Sequence, residues 1–240
     1  MKNLTLIIPA KNEAESLPTV INELKDLDCK ITVSLDKNDV ETINSINKFD
    51  VEIYRQKELG YGNSLIEAIN NCKTEYFCIF NADGSFDKND LSKMLERNHD
   101  SDFVYTSRYL KNAGSEDDTI ITLIGNKFFS LLGKILFSLK LNDILYTFVM
   151  GKTLSFKKLN LKCGDFRFCV ELPIKMQILG FKYRSIPSYE RKRIGGKKKV
   201  NAVKDGFLIL LEMLKLFCIY KLFKKKLKDL ITIYLYNKYV

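Results

Sequence analysis

Five runs of aliphatic and β-branched residues recur through the first hundred positions, and a segment with helical spacing separates each from the next. The runs lie at 4–8 (LTLII), 31–35 (ITVSL), 51–54, 76–80 (YFCIF) and 102–106, with helix-like stretches at about 15–26, 40–48, 62–72 and 88–98 between them. Strands that are apolar along their whole length must be covered on both faces. Alternated with helices, they imply a parallel sheet sandwiched between helical layers. Sheets of this kind bind ligands beyond the carboxyl ends of their strands, so polar residues at those ends are the first candidates for chemistry.

Each run does end in an unusual polar loop. The first leads into Pro9-Ala10-Lys11-Asn12-Glu13 and the second into Asp36-Lys37-Asn38-Asp39. Gly60-Tyr61-Gly62-Asn63 follows the third, Asn81-Ala82-Asp83-Gly84-Ser85 the fourth, and Thr106-Ser107-Arg108-Tyr109 the fifth. Taken singly, each has a plain explanation: Asn12 or Ser16 could cap a helix, and Asp36 could be a turn residue. The Gly pair is no P-loop, because no G-K-[ST] follows. Set around one crevice, the loops suit a nucleotide. Asp36 and Glu13 would lie near base and ribose, and Asp83, with Gly84 allowing close approach, near a diphosphate and its cation.

The rest of the chain is read more coarsely. Residues 119–140 are apolar with sparse Lys and Gly and predict one or two helices; 147–156 predicts a strand. A helix from near Phe168 to Gly180 carries Glu171, a strand follows at about 182–188, and apolar helices run from about 202 to the end. One domain over 1–220 and a basic, aromatic helical tail over 221–240 are expected.

Charge is concentrated. The net charge is +10, and residues 182–200 hold Lys182, Arg184, Arg191, Lys192, Arg193, Lys197, Lys198 and Lys199 against the single acid Glu190. A second cluster, Lys224-Lys225-Lys226 with Lys228, lies near the C-terminus. Both point to polyanionic partners. Six cysteines without a C-x-x-C pair and a single His argue against zinc and for reduced thiols. No signal peptide is apparent, and no window of about 18 uncharged apolar residues predicts a membrane span. The stretch 207–223, interrupted by Glu212, Lys215 and Lys221, suits a helix lying on a membrane surface.

In order and spacing these pieces resemble the family 2 glycosyltransferases of the GT-A fold, most of all the dolichyl- and polyprenyl-phosphate sugar synthases and their bacterial relatives. The resemblance runs from about residue 4 to about residue 212. "IIPAKNEAESLP" is similar to the family's opening strand and P-x-x-N-E loop, which implies that Pro9, Asn12 and Glu13 lie beside the nucleotide. "VSLDKNDVET" stands at the family's V-D-D-G-S position, with Asp36 retained and Leu35 replacing the first Asp. "ELGYGNSLIEAI" resembles the family's G-x-G-x-A helix start and implies a nucleotide-side role for Gly62. "NADGSF" occupies the D-x-D position, implying Asp83 as the Mg²⁺ or Mn²⁺ ligand, backed by Asn81 and Ser85, with Ala82 beside the nucleotide sugar.

"YTSRYL" resembles the family's G-S-R-Y and implies that Arg108 lies near the donor and acceptor phosphates. Asp143 and Glu171 match acidic positions that face the acceptor, either of which could serve as a base. "RKRIGGKKK" is similar to the R-x-x-G-x-S-K loop, implying that Arg193, Gly196 and Lys199 clamp phosphate, with Lys198 where the family has Ser.

The resemblance implies an α/β, Rossmann-like GT-A domain with C-terminal amphipathic helices. It would be an inverting, metal-dependent transferase moving a sugar from a nucleoside-diphosphate donor to a polyprenyl phosphate or, alternatively, to a glycan hydroxyl. An anionic membrane would be the surface on which it works, from a cytoplasmic, peripheral position on the inner face of the cell membrane. A nucleotidyltransferase would need a G-x-G-T-R loop after the first strand, where "PAKNEAE" stands. A basic nucleic-acid module would leave Asp36 and Asp83 without a purpose, so no nucleic-acid partner is expected.

Overall fold

A computed structural model describes the backbone of residues 1–195 and 199–239, and side chains as far as Leu222. Gly196, Lys197 and Lys198 of the basic loop, and the side chains of Lys224, Lys225, Lys226 and Lys228, lie outside the described residues.

The chain runs β1 (Leu4–Ala10), α1 (Leu17–Leu24), β2 (Lys30–Leu35), α2 (Val40–Ser45), β3 (Glu52–Arg55), α3 (Tyr61–Asn71), β4 (Tyr76–Ile79), α4 (Asp90–Asn98) and β5 (Phe103–Ser107). It continues with β6 (Gly114–Ser115), α5 (Ile120–Phe137), β7 (Val149–Lys152), α6 (Thr153–Lys158), α7 (Phe168–Ile178), β8 (Tyr183–Pro187), β9 (Tyr189–Glu190) and α8 (Ala202–Tyr239). Seven strands form one sheet in the order β3-β2-β1-β4-β7-β5-β8, and β6 pairs with β9 in a small parallel ribbon. Every pairing in the large sheet is parallel except those of β7, which lies antiparallel between β4 and β5.

The alternation of side chains along each strand divides the core in two. Leu6, Ile8, Cys78, Phe80 and Val104 point to the face covered by α1 and α4, whereas Ile7, Phe77, Ile79, Phe103 and Tyr105 point to the face covered by α3, α5, α7 and α8. Both faces are dry, which is why β1 and β4 carry almost no polar side chains.

Two expectations change. The strand predicted over 147–156 ends at Lys152, and Thr153–Lys158 is a helix. The apolar helices predicted after 202 are one helix, which continues unbroken through the boundary expected at 220.

The 119–140 region is the single helix α5, started by a Thr119–Thr122 capping box. Asn126, Phe129, Ser130, Gly133 and Phe137 form its buried face, while Ile120, Ile121, Ile124, Phe128, Leu131 and Ile135 are exposed, Ile120 at 75%. Its C-terminal end packs on α8 through Phe137 against Phe217 and Tyr220. α8 in turn exposes Val203, Phe207, Leu211, Leu214, Ile219 and Leu222. Among the described helices α5 has the length and apolarity of a membrane span, but one face of it is folded onto the core.

Candidate active site

β1 lies between β2 and β4 in parallel register. Adjacent strands stand about 4.8 Å apart, so the loops following β2 and β4 flank the end of β1 roughly 10 Å from one another. Asp36 and Asp83 thus open onto the same sheet edge. Asp36 is half-buried, and its Oδ1 accepts the Asn38 amide at 2.9 Å. Asp39 joins the first two loops: Oδ2 accepts the Asn12 amide at 2.6 Å and Oδ1 the Thr42 amide at 3.3 Å. Asn12 holds a left-handed φ of 52°, which turns the chain at the end of β1 just beyond half-buried Pro9. Glu13 is buried, and its carboxylate accepts Ser16 Oγ at 2.8 Å and the Lys199 ammonium.

The β4 loop is a tight acidic turn. Asp83 Oδ1 accepts both the amide and the hydroxyl of Ser85, at 3.0 and 2.7 Å, and Asn81 reaches the same hydroxyl at 3.5 Å. Ala82 is buried beneath the turn. Gly84 has φ +80°, where any other side chain would be strained, and a Cβ there would stand 2.4 Å from Ile194 Cδ1. The contact with Ile194 arises because the basic segment lies across this turn like a strap. Arg191 N donates to Ser85 O and Ile194 N to Asp83 O, both at 2.8 Å. The Arg191 guanidinium grips Glu23 at 2.9 Å and Phe86 O at 2.7 Å. Arg193 pairs side-on with Asp117, Nε at 3.1 Å and Nη2 at 2.7 Å, and directs Nη1 at Asp83 Oδ2 from 3.6 Å.

Asp83, Asn81 and Ser85 present oxygen atoms and no sulfur or imidazole, the donor set of a hard divalent cation. Among the described residues no three His, Cys, Asp or Glu gather into a metal cluster. The turn therefore fits a cation that brings most of its ligands with it, as a nucleotide-bound Mg²⁺ or Mn²⁺ does.

Tyr61 lies close by. Its hydroxyl bonds Thr147 Oγ1 at 2.7 Å and its ring stacks on Phe166. Burial above all, with smaller contributions from Cys169 and Asp83, pushes its phenol well above the ordinary range, so it stays a neutral donor.

Four of the expected site residues make their contacts within the protein itself. Gly62 faces the protein's own backbone: a Cβ there would stand 2.0 Å from Cys163 O, and Asn63 N donates to Gly164 O, so this glycine seats α3 against the 163–165 loop. Arg108 is bonded to carboxylates of the protein. Its Nε and Nη2 bond the two oxygens of Asp143, each at 2.9 Å, Nη1 bonds Glu190 at 3.0 Å, and its plane lies 4.4 Å over the Tyr146 ring. Asp143 also accepts the Arg108 amide and the Asn126 side-chain amide, and its side chain has no solvent exposure. Glu171 accepts the amides of Lys162 and Cys163 and the Lys175 ammonium at 2.7 to 3.0 Å. Burial raises its pKa, but Lys175 and the two amides outweigh that and hold it below the ordinary carboxylate value. It fastens the 162–163 loop to α7.

Asp39, Tyr61, Asp117 and Glu190 belong to the site without having been predicted. Asp39 and Tyr61 lie in strand-end loops that the sequence already marked, Glu190 is the lone acid in a basic stretch, and Asp117 lies in the run Glu116-Asp117-Asp118.

Residues 5–160 match the family model described as glycosyl transferase family 2. No curated protein matches the chain. Among solved structures, mannosyl-3-phosphoglycerate synthase from Rubrobacter xylanophilus is similar with a TM-score of 0.66 at 13% identity, over 88% of this chain and 72% of that one. Glucosyl-3-phosphoglycerate synthase from Mycobacterium tuberculosis, in complex with Mn²⁺, UDP and phosphoglyceric acid, gives 0.66 at 11% identity over 89% and 78%. The same synthase with Mg²⁺ and UDP gives 0.61 at 12% identity over 88% and 78%. The helix-flanked, mostly parallel GT-A sheet expected from sequence is the fold these proteins share.

Proposed function

We propose, on the premise that this chain belongs to glycosyl transferase family 2, that it moves a sugar from a nucleoside diphosphate to a polyprenyl phosphate at a membrane surface. The observation that carries the donor half is Asp83: a strand-end carboxylate among oxygen donors, opposite Asp36 and beneath the guanidinium of Arg193. The Mn²⁺, Mg²⁺ and UDP named for the similar synthases agree with it. A divalent cation held by Asp83, Asn81 and Ser85 would supply positive charge to the diphosphate as the bond to the sugar breaks. Arg193 adds fixed charge on the other side, Asp36 lines the nucleoside end, and the Glu13–Lys199 pair lies between the two. Loss of one such preorganised partner costs on the order of 3 kcal/mol, about a hundredfold in rate.

The acceptor half rests on two observations. A hydroxyl acceptor needs a base, and both carboxylates expected in that role, Asp143 and Glu171, are buried and bonded. Asp165, half-exposed beside Gly62, is raised by burial, but the hydrogen bonds and charge of Arg167 and its own turn hold it below the ordinary carboxylate range, which makes it a weak base. An acceptor phosphate is already ionised and needs no base. The exposed apolar faces of α5 and α8 then give the protein a way to lie where a lipid phosphate is found, with basic residues adding roughly 1 kcal/mol each on an anionic surface. The proposal includes a peripheral position on the cytoplasmic face of the cell membrane.

The test incubates the protein with membranes, Mn²⁺ and radiolabelled nucleotide sugars and then extracts lipid. Label in the organic phase that disappears in Asp83→Ala supports the proposal. Label confined to polymer moves the acceptor to a glycan hydroxyl, and label on added phosphoglycerate moves it to a small water-soluble acceptor.

A further inference from the structure

The contact between Arg193 and Asp83 is unusual for two opposite charges so close together. Nη1 stops 3.6 Å from Oδ2, beyond the length of a good hydrogen bond. The reason lies on the other side of the guanidinium. Nε and Nη2, the edge that makes the strongest fork with a carboxylate, are both taken by Asp117. The strap could not easily slip towards Asp83, because it is held on either side of Arg193. Lys192 N donates to Glu116 Oε2 at 3.1 Å, and Ile194 N donates to Asp83 O. Asp117 is fixed in turn, since the amides of Asp117 and Asp118 donate to Ser115 Oγ at 3.1 and 2.8 Å, and that hydroxyl is bonded to Glu190 in the β6–β9 ribbon.

We propose that Asp117 is a positioning residue of the donor site: it holds the Arg193 guanidinium beside Asp83 while preventing it from closing on that carboxylate. Two cations have claims on Asp83, the arginine and the divalent ion that arrives with the nucleotide. An arginine cannot give up its charge, so the choice between them is decided by where the guanidinium is held. With Asp117 in place, Asp83 keeps an oxygen available to the metal and Arg193 stays within reach of the phosphates. Without it, the fork of Arg193 turns to Asp83 and competes with the metal.

The inference rests on the donor role proposed for Asp83, and its test separates the two. Unfolding temperature is followed while Mn²⁺ is titrated into protein with saturating UDP or GDP, using whichever stabilises the wild type. If neither nucleotide gives a Mn²⁺-dependent shift in the wild type, the donor role falls and this inference falls with it. If the wild type responds, Asp117→Asn is expected to need about tenfold more Mn²⁺ for half the effect, the scale of one charge-assisted hydrogen bond. Removing the competitor should cancel that penalty, so the double variant Asp117→Asn with Arg193→Gln should need no more Mn²⁺ than Arg193→Gln alone. A loss of packing would not be rescued in this way. The proposal is overturned if Asp117→Asn leaves the Mn²⁺ requirement unchanged, or if the penalty persists in the double variant. Unfolding temperatures without ligand identify a variant that does not fold, and Asp117→Glu, which restores the carboxylate, then takes the place of Asp117→Asn with a partial rise expected; no rise overturns the proposal.

Discussion

Asn81 stands where a second carboxylate would double the negative charge of the β4 turn, and that one atom pair sets how strongly the turn can hold a cation unaided. Asn81→Asp is expected to lower the Mn²⁺ concentration needed for nucleotide stabilisation by on the order of tenfold, since cation affinity follows ligand charge. A Mn²⁺ titration monitored by unfolding temperature checks this, and an unchanged midpoint would mean that residue 81 is not turned towards the cation. Asp83 was legible in the sequence because its position is set by the strand before it: a buried run must stop somewhere, and the residues just past its end open at the sheet edge. Arg108 was not. Its identity suggests a phosphate ligand, but its partners Asp143 and Glu190 lie 35 and 82 positions away, and nothing local in the sequence shows that they meet it. Gly62 is ambiguous for the same reason, because a glycine reports a close approach without saying whether substrate or backbone is approaching.

At the scale of elements, α7 and the loop before it depend on Glu171, near the start of the helix, whose carboxylate gathers two loop amides and Lys175. Because its folded pKa lies below the ordinary value of 4.5, its stabilisation is fully present above about that pH and is lost as pH falls through the folded value. Acid unfolding of the wild type should therefore steepen below pH 4.5. Glu171→Gln should be less stable at neutral pH by about 1–3 kcal/mol, the cost of donors left without a charged acceptor. Its stability should also vary less with pH in the acid limb. Denaturant titrations from pH 3 to 7 measure both, and parallel curves for the two proteins would exclude a titrating role for Glu171. The strands and helices of the first hundred residues were readable because periodicity is a local property. The turn from strand to helix at Lys152 was not, since β7 stays in the sheet only as far as the edges of β4 and β5 can pair with it.

For the whole molecule, the exposed side of α5 lies far in sequence from the β4 turn and is the face proposed above to meet a membrane. Ile124 and Ile135 are 62% and 66% exposed, so replacing both with Ser should change stability by less than about 0.5 kcal/mol each. Binding to phosphatidylglycerol vesicles should weaken by roughly a hundredfold if both side chains enter the lipid, each worth about 1.5 kcal/mol or more. Co-sedimentation measures this; equal binding by variant and wild type, or no binding by either, would overturn the proposal that this face meets a membrane.

The antiparallel strand has a consequence for synthesis on the ribosome. β3, β2, β1 and β4 can assemble in the order they emerge, whereas β4 and β5 remain separated until Val149–Lys152 arrives to bridge them. Until then the nascent chain carries two unpaired backbone rims in its interior, the kind of surface that recruits neighbouring chains. A polypeptide terminated ahead of Val149 would keep those rims permanently and should accumulate as insoluble aggregate.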